Sequence, residues 1–256
     1  MLKRIIAFTT RFIPRHILQS VAGFFLKIIG FFYSGNKFED PISGKKYRKL
    51  LPYGRTIMRE NALAPHSMSL ERHRLIWLYL KSKTDFFVNP KKVLHIAPEY
   101  CFVKPFKKLK NLEYVTADLN SPWADVKMDV QNIPFEESTF DVVLCNHVLE
   151  HVASDTKAMQ EILRVLKPGG FAILQVPIDY NMETTLEDEK YNTPELREKY
   201  YQQRDHLRLY GRDYAQRLRN VGFAVIEDDF VKTLPKEQVT RYALPFNEIL
   251  YICKKE

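Results

Sequence analysis

The sequence that decides the fold is residues 140–177, FDVVLCNHVLEHVASDTKAMQEILRVLKPGGFAILQVP. It opens with a short apolar run, residues 142–144, which is typical of a strand buried on both faces. Residues 171–176 form a second run of this kind. Between the two runs, apolar residues recur three and four positions apart, at Met159, Ile162, Leu163 and Leu166. This spacing predicts a helix with one apolar face, and hence a strand–helix–strand unit of an α/β sheet.

The limits of this helix can also be predicted. Asp155 is expected to cap its first turn, because a short acidic side chain can accept from exposed backbone N–H groups. Residues 167–170, KPGG, are expected to end it, because glycine readily adopts a positive φ. The polar residues just after the first strand lie where open α/β sheets place their ligands. They are Asn146, His147, Glu150 and His151.

Residues 140–177 resemble the second half of a class I S-adenosylmethionine-dependent methyltransferase domain (type 11-like), with its pattern "FDvV…hvLeHv…l.e..RvLkPGG.l.i..P". The resemblance implies an α/β fold with a Rossmann-like, seven-stranded, mostly parallel sheet and helices on both faces. It also implies S-adenosyl-L-methionine as cofactor and S-adenosyl-L-homocysteine as product. We predict that this domain spans residues 85–256, and that residues 224–228 and 249–254 form its last, antiparallel strand pair.

The charge of the chain is unevenly distributed. Residues 1–92 hold 18 Lys and Arg against 5 Asp and Glu, whereas residues 93–256 hold 21 against 26. A domain that grips nucleic acid should itself be basic, so no nucleic-acid partner is expected. The three cysteines are far apart and lie in or beside apolar runs, which indicates reduced thiols and a cytoplasmic location.

Residues 1–36 are predicted to form a basic amphipathic helical segment, with a break at Pro14. Basic residues interrupt the early apolar region, which disfavours a signal peptide. A spanning helix over Ile17–Tyr33 would be short and would contain Lys27. Two alternatives remain open. Residues 1–35 either lie peripherally on an anionic inner-membrane surface, or form a helical hairpin against the domain or at a dimer interface.

Residues 37–84 resemble a cysteine-pair module that accompanies a bacterial subgroup of these methyltransferases, roughly "CPxCGKxFRxFLPYG…RENALCPxCxSLERHRLLWLYL". The four cysteine positions here carry Asp40, Ser43, Ala64 and Ser67. A structural zinc site needs four sulfur or nitrogen ligands, so no zinc is expected, and no metal ligands are assigned elsewhere. This degenerate module must then be stabilised in one of two other ways. One is packing of Tyr47, Leu50, Leu51 and Tyr53, and the other is docking onto the main domain. Ser69 is expected to cap the helix that follows.

The predicted cofactor half-site begins at the strand KVLHIA, residues 92–97. Most methyltransferases follow this strand with a glycine-rich loop, resembling "VLDLGCGTG", whereas this chain reads LHIAPE, as does the subgroup that carries the cysteine-pair module. We assign His95, Ala97, Pro98 and Glu99 to the cofactor. Ala97 is small enough for close approach. Glu99 either pairs with the cofactor's amino group or serves as an acid at a helix N-terminus.

The nucleoside half of the site is assigned to residues after the next strands. Asp118 ends the predicted strand 112–118 and is expected to accept from the ribose hydroxyls, with Leu119 beside it. The alternative for Asp118 is an ordinary turn aspartate. The resemblance assigns Asp129 to the adenine amino group and the Val130 backbone to the ring, and it places Asn146 beneath the sulfonium.

The acceptor side is less defined. Candidate bases are His147, His151 and His206, with helix capping by His151 as a structural alternative. Residues 178–209 are polar and are expected to form a lid. Their end, QRDHLRLYG, resembles the subgroup's "qxDHvRxYG" and suits a polar or anionic acceptor, or a hydrogen-bonded loop that orders the lid. The residues assigned to the acceptor are Arg72, Glu150, Asp205, Arg208 and Tyr210.

The predicted function is methyl transfer to a polar small-molecule, glycan or lipid-linked acceptor. An NAD-dependent dehydrogenase is disfavoured, because no G-x-G-x-x-G follows the first strand. The alternative is a non-catalytic cofactor- or glycan-binding module recruited to the membrane surface. The sequence leaves the oligomeric state open.

Overall fold

The computed structural model describes residues 15–54, 58–121 and 124–256, so the predicted break at Pro14 lies outside the described residues. Its N-terminal part contains one long helix, two small hairpins and a second helix. These elements are α1 (Arg15–Phe32), β1 (Ser34–Asp40), β2 (Lys45–Tyr47), β3 (Leu51–Tyr53), β4 (Arg59–Leu63) and α2 (Glu71–Lys83). Strands β1 and β2 pair with each other, as do β3 and β4, and both pairs are antiparallel.

Alternating strands and helices follow in the order of an α/β domain. They are β5 (Lys91–Ile96), α3 (Tyr100–Lys107), β6 (Leu112–Asp118), β7 (Val126–Lys127), β8 (Phe140–Asn146), α4 (Asp155–Val165), β9 (Leu166–Gln175), α5 (Pro194–Tyr201), α6 (Tyr214–Val221), β10 (Ala224–Asp228), α7 (Phe230–Thr233), α8 (Lys236–Arg241) and β11 (Leu250–Lys254).

The seven strands β5 to β11 form one sheet in the order β10-β11-β9-β8-β5-β6-β7. Strands β5 to β9 are parallel, whereas β11 is antiparallel to both of its neighbours, β9 and β10. This confirms the predicted seven-stranded, mostly parallel sheet and its antiparallel final pair. The order reverses between β5 and β8, so the loops after these strands diverge and leave a crevice at the carboxyl edge.

The core lies on both faces of this sheet. Strand β8 is the clearest case, because Val142 and Leu144 pack into one apolar cluster and Val143 and Cys145 into the other. Alternate side chains of a strand point to opposite faces, so both faces of β8 must be covered. The continuous apolar run that predicted a buried strand is therefore explained by helices on each side.

Two predicted helix caps are wrong. Ser154, one residue earlier than Asp155, caps α4, and its hydroxyl accepts from the Lys157 amide at 3.2 Å. Asp155 is buried and accepts instead from Tyr210 Oη at 2.9 Å and from Arg217 Nη2 at 2.7 Å. Ser69 does not cap α2, whose N-cap residue is Leu70. In both cases a long-range polar partner competes successfully for the side chain.

The four cysteine-like positions of the N-terminal module meet in a buried polar cluster. The Asp40 carboxylate accepts from Ser43 Oγ at 2.5 Å and from Ser69 Oγ at 3.0 Å, while Ala64 is fully buried and Ser67 Oγ accepts from the Ser69 amide. Beside the cluster, Phe38, Tyr47 and Leu50 pack with Ala64. Among the residues proposed for packing, Tyr53 is exposed. Hydrogen bonds and a small apolar core thus connect these strands.

Arg74 docks this module onto the α/β domain. Its guanidinium is fully buried and donates to Ala62 O at 3.0 Å, Ser69 O at 3.0 Å, Tyr242 O at 2.6 Å and Ala243 O at 2.8 Å. Five fixed N–H donors make arginine suited to such a junction. An ion pair from Arg241 Nη2 to Glu39 Oε2, 2.7 Å long, adds a contact at the surface.

Residues 178–209 follow β9 and contain α5. Isolated bridges join Ile178 to Tyr210 and Leu186 to Leu209, so this insertion folds back on its own end. Its role as a lid, like the predicted domain boundaries, stays a prediction. Across residues 15–54, 58–121 and 124–256, the helices all fall short of the length and apolar character needed to cross a bilayer.

Candidate active site

The loop after β5 turns sharply at the carboxyl edge of the sheet. Ala97 has a φ of +49°, in the left-handed region that favours glycine, and its amide donates to Ala117 O at 2.8 Å. A non-glycine residue there costs roughly 1 kcal/mol, and alanine carries the smallest side chain that bears this strain. The methyl group of Ala97 is therefore the only side-chain atom at a position where glycine-rich loops of this type have no side chain.

A buried carboxylate, Glu99, holds this loop. Its Oε2 bonds to His95 Nε2, and its Oε1 accepts from Asn146 Nδ2 at 3.0 Å. His95 Nδ1 lies 2.6 Å from the Tyr114 hydroxyl. Burial raises the pKa of Tyr114, so its hydroxyl keeps its proton at neutral pH. Nε2–H of His95 then donates to Glu99, which makes one chain of hydrogen bonds from β6 through β5 to the loop.

The electrostatics of this network favour an ionised Glu99. Burial alone would raise the pKa of Glu99, but the charge and hydrogen bond of His95 outweigh it and lower this pKa to about 2. The second neighbouring imidazole, His73, has Nε2 3.8 Å from Glu99 Oε1. Burial lowers the pKa of His73 to about 3, so this ring is neutral at neutral pH. Its Nδ1 accepts from the Leu70 amide at 3.1 Å, which puts the proton on Nε2.

Two polar atoms beside Glu99 have no partner among the described residues. Asn146 Oδ1 is a buried acceptor, and His73 Nε2 is a buried donor. Buried polar groups are nearly always hydrogen-bonded, so an orphaned acceptor and donor together mark a place for a ligand with both functions. His73 was not among the predicted cofactor residues, and His95, which was, lies fully buried beneath the loop with both ring nitrogens hydrogen-bonded.

The nucleoside-side residues lie along the same edge. Asp118 Oδ1 accepts from the Asn120 and Ser121 amides at 2.6 and 2.5 Å. This is the arrangement of an ordinary turn aspartate, the alternative that the sequence left open for Asp118. Both of these hydrogen bonds are accepted by the same carboxylate oxygen. Leu119 is exposed beside it. Asp129 is exposed and accepts from the Gln131 amide at 2.9 Å, whereas Val130 is buried.

A cavity of about 580 Å³ opens on the other side of β8. Its walls come from the N-terminal module, from the end of β9 and from the segment before β11, and they include Arg59, Glu71, Arg72, His147, Gln175 and Glu248. Arg59 Nε and Glu71 Oε1 form an ion pair 2.8 Å long. Burial raises the pKa of Glu248. Arg72 Nε is buried without a partner among the described residues.

His147 joins the cavity to the loop after β8. It has a φ of +55°, and its Nδ1 lies 3.3 Å from Glu150 Oε1. Its side chain is partly exposed and faces the cavity, whereas Glu150 is buried. Asn146, the residue before it, belongs to the Glu99 network. Two adjacent residues of the chain therefore serve two adjoining sites.

The other acceptor-side predictions lie away from this cavity lining. Arg208 is buried, and its guanidinium donates to Leu149 O at 2.6 Å and to Glu187 Oε1 at 2.6 Å. Tyr210 is buried against Asp155. Asp205 is exposed, and its carbonyl lies 3.1 Å from His151 Nδ1. These residues tie the end of the 178–209 insertion to the loop after β8.

The Glu99 network generates a stability prediction with a defined pH window. Because the folded-state pKa of Glu99 lies below its ordinary value of 4.5, its ionisation stabilises the fold fully above pH 4.5, and this stabilisation is lost as pH falls toward 2. We expect Glu99→Gln to lower the free energy of unfolding by roughly 3 kcal/mol at pH 7. Urea unfolding between pH 7 and pH 3 measures the difference, which should shrink toward low pH.

The matched control is Glu113→Gln on the neighbouring strand, where an exposed carboxylate pairs with Lys92 Nζ at 2.8 Å. Exposed pairs of this kind contribute about 1 kcal/mol or less. A Glu99→Gln variant as stable as this control, or a loss that does not change with pH, contradicts the assignment.

Comparison with known proteins adds a family match. Residues 102–174 match the family model described as a methyltransferase domain. This segment covers most of α3, the second strand of the half-site, and nearly all of the strand–helix–strand unit of β8, α4 and β9.

Curated relatives match over short segments. Sterol 4-C-methyltransferase strm-1 of Caenorhabditis elegans is 35% identical over 86 residues, which cover 34% of this chain and 26% of that protein. The ubiquinone/menaquinone biosynthesis C-methyltransferase UbiE of Idiomarina loihiensis is 41% identical over 49 residues, 19% of this chain and 20% of that protein. The match therefore spans well under half the length of either relative.

Among solved structures, the [4+2]-cyclase SpnF superposes with a TM-score of 0.51 at 15% identity. The superposition covers 84% of this chain and 91% of that one. Such a likeness speaks for the fold alone, and it agrees with the observed sheet. Residues 102–174 thus match the methyltransferase-domain family, and the fold around them agrees with that of class I S-adenosylmethionine-dependent methyltransferases.

Proposed function

We propose that this protein transfers the methyl group of S-adenosyl-L-methionine to a polar acceptor held in the cavity beside His147. The observation that carries the proposal is the adjacency of two sites at the end of β8. Asn146 has an orphaned acceptor in the loop network, and His147 lines the cavity. A methyl donor and an acceptor must be aligned across a few ångströms, and consecutive residues facing both sites supply that alignment.

The cofactor residues follow from the edge of the sheet. Asn146 Oδ1 and His73 Nε2 suit the amino and carboxylate groups of the methionine portion, with Ala97 and Pro98 close to it. Asp118 and Leu119 suit the ribose, and Asp129 and Val130 suit the adenine. When bound, this cofactor supplies a methyl group already activated by a sulfonium charge, so the protein has mainly to orient the acceptor and exclude water.

His147 is the candidate general base for a hydroxyl acceptor. Its Nδ1 lies 3.3 Å from Glu150 Oε1, so the buried carboxylate stabilises the imidazolium that forms when Nε2 accepts a proton. A base role requires the tautomer with the proton on Nδ1 and the lone pair on Nε2, which the carboxylate of Glu150 beside Nδ1 favours. His151 and His206 stand behind Glu150 and do not line the cavity.

The cavity favours an acceptor that carries both hydrogen-bond donors and acceptors. The unpartnered Nε of Arg72 suits an anionic or carbonyl group, while Glu248 and Gln175 suit hydroxyls or amines. Sugars and other polyhydroxylated small molecules have this mixture. We therefore propose a polar small molecule, a glycan or the glycan part of a lipid-linked intermediate.

We further propose that α1 holds the protein on an anionic membrane surface. Phe31 is 76% exposed and Phe32 is 66% exposed at the end of this helix, with Ile28 exposed one turn earlier. Residues 1–38 contain basic residues and no acid. An exposed apolar stripe among basic residues suits the interface of an anionic bilayer, and such a location would bring the cavity near lipid-linked acceptors.

A non-catalytic binding module remains the second candidate. Its support is the loop itself, where Glu99 is fully engaged by protein groups and no glycine is present. A fold of this class also serves other chemistry, since SpnF is described as a [4+2]-cyclase. Such a module would bind cofactor without turnover.

Methyl transfer can be tested with His147→Gln. The full-length protein is incubated with labelled S-adenosyl-L-methionine and with polar and lipid extracts of its source cells, and label in the products is counted. Loss of the general base should lower incorporation by about 10²- to 10⁴-fold. S-adenosyl-L-homocysteine binding should stay within about 3-fold of wild type, because His147 lies on the acceptor side.

The control for this experiment is His66→Ala in the N-terminal module, which should leave incorporation unchanged. Wild-type incorporation by His147→Gln overturns the assigned role of His147. No incorporation by wild-type protein that binds the cofactor supports the non-catalytic module instead.

The membrane proposal can be tested by flotation with vesicles. We expect wild-type protein to float with vesicles that contain anionic phospholipid, and the double variant Phe31→Ser/Phe32→Ser to lose at least about 10-fold in partitioning, because burial of each ring contributes roughly 1.5–3 kcal/mol. The control is Val88→Ser, which removes a 78% exposed apolar side chain elsewhere.

Equal partitioning of the wild type and the double variant contradicts this proposal. So does a dimer, seen by analytical ultracentrifugation without lipid, that the two serines abolish. That result would assign the apolar stripe to a second copy of the chain.

A further inference from the structure

Behind His147, three potential metal ligands meet outside the cavity lining. Glu150, His151 and His206 each place one ligand atom within 4.8 Å of the others. Two separate segments bring them together, the loop after β8 and the end of the 178–209 insertion. The amide of Leu207 donates to Glu150 O at 2.8 Å and fixes the two segments against each other.

Two members of this cluster are buried without a partner. Glu150 is 1% exposed, and its carboxylate oxygens accept no hydrogen bond from the described residues, although His147 Nδ1 lies 3.3 Å from Oε1. His206 is 2% exposed, and its Nε2 is likewise unpartnered. A buried carboxylate without a donor costs several kcal/mol, so native structures pair such groups or place them on a metal ion. A cation between Glu150 and His206 would provide a partner for these unpaired atoms.

The hydrogen bonds of the two imidazoles set the tautomer that a metal requires. His206 Nδ1 lies 3.1 Å from Tyr201 O, and His151 Nδ1 lies 3.1 Å from Asp205 O. A carbonyl can only accept, so each Nδ1 carries the proton and each Nε2 carries a lone pair. Metal-bound histidines commonly donate their second nitrogen to a backbone carbonyl in this way.

We propose that Glu150, His151 and His206 bind a divalent transition-metal ion of the Zn²⁺ class. Two imidazoles and one carboxylate form a three-ligand set that zinc accepts, with a fourth position open to water. Imidazole ligands favour this class over Mg²⁺ or Ca²⁺, which take oxygen ligands. The separation of up to 4.8 Å exceeds the spacing of about 3.3 Å around tetrahedral zinc, so the ligand atoms have to approach one another by up to roughly 1.5 Å, and His151 is the exposed member of the set.

Such an ion connects the insertion to the acceptor side. It clamps His206 against the loop after β8, and it shares Glu150 with His147, whose Nδ1 faces Glu150 Oε1. From the sequence, no metal was expected, and His151 and His206 were candidate bases. The orphaned Glu150 and His206 atoms became visible only from their burial. The competing explanation is a single proton shared between Glu150 and His206.

The experiment measures binding and needs no methyl transfer. Full-length protein is dialysed against chelator, then titrated with Zn²⁺ by calorimetry and with Co²⁺ by visible absorption. We expect one Zn²⁺ per chain and the absorption bands of four- or five-coordinate Co²⁺. Glu150→Gln, His206→Ala and His151→Ala should each weaken Zn²⁺ binding by about 100-fold. His66→Ala, which removes a histidine of the N-terminal module, should bind like wild type.

His151→Ala keeps the experiment decisive even if the variants at buried positions fail to fold, because His151 is exposed. Circular dichroism verifies that each variant is folded. Two results overturn the proposal. One is folded wild-type protein that binds neither metal, which leaves the shared proton as the explanation. The other is stoichiometric Zn²⁺ binding that His151→Ala leaves unchanged.

Discussion

The buried carboxylate of Glu99 is the interaction on which the candidate site depends. It receives His95 from β5 and Asn146 from β8, and through His95 it reaches Tyr114 of β6. Three neighbouring strands are thus connected beneath one loop by charge-assisted hydrogen bonds, which are stronger than neutral ones. This explains how a loop without glycine keeps a fixed shape. Ala97 supplies the tight turn, and the ionised carboxylate supplies the rigidity.

The N-terminal module is joined to this site through α2. Arg74 fixes the helix to the segment at residues 242–243, and one turn of α2 presents Arg72 to the cavity and His73 to the Glu99 network. A cysteine-pair module would use zinc to fix these strands. Here hydrogen bonds among Asp40, Ser43 and Ser69 occupy the corresponding position. Arg74 connects the module to the α/β domain.

Much of the fold was predictable because its signals are local. The strand that ends at Asp118 was predicted correctly, and so was the helix with Met159 and Ile162 on its buried face. The end of that helix was predicted too late, because Leu166 and residues 167–170 belong to β9. Long-range contacts were not predictable in this way. Asp155 is a residue type that often caps helices, but its carboxylate accepts instead from Arg217, which lies 62 positions later in the chain. Tyr114 and His73 were not among the predicted cofactor residues, because only the fold brings them to Glu99.

The central claim is that this glycine-free loop still binds the cofactor. Calorimetric titration of full-length protein with S-adenosyl-L-methionine and with S-adenosyl-L-homocysteine tests it most directly, using wild type, Asp118→Ala and the control Asp85→Ala. We expect micromolar binding by wild type and control, and binding about 10- to 100-fold weaker in Asp118→Ala through loss of hydrogen bonds to a charged group. Folded wild-type protein that binds neither ligand, or undiminished binding by Asp118→Ala, would contradict it.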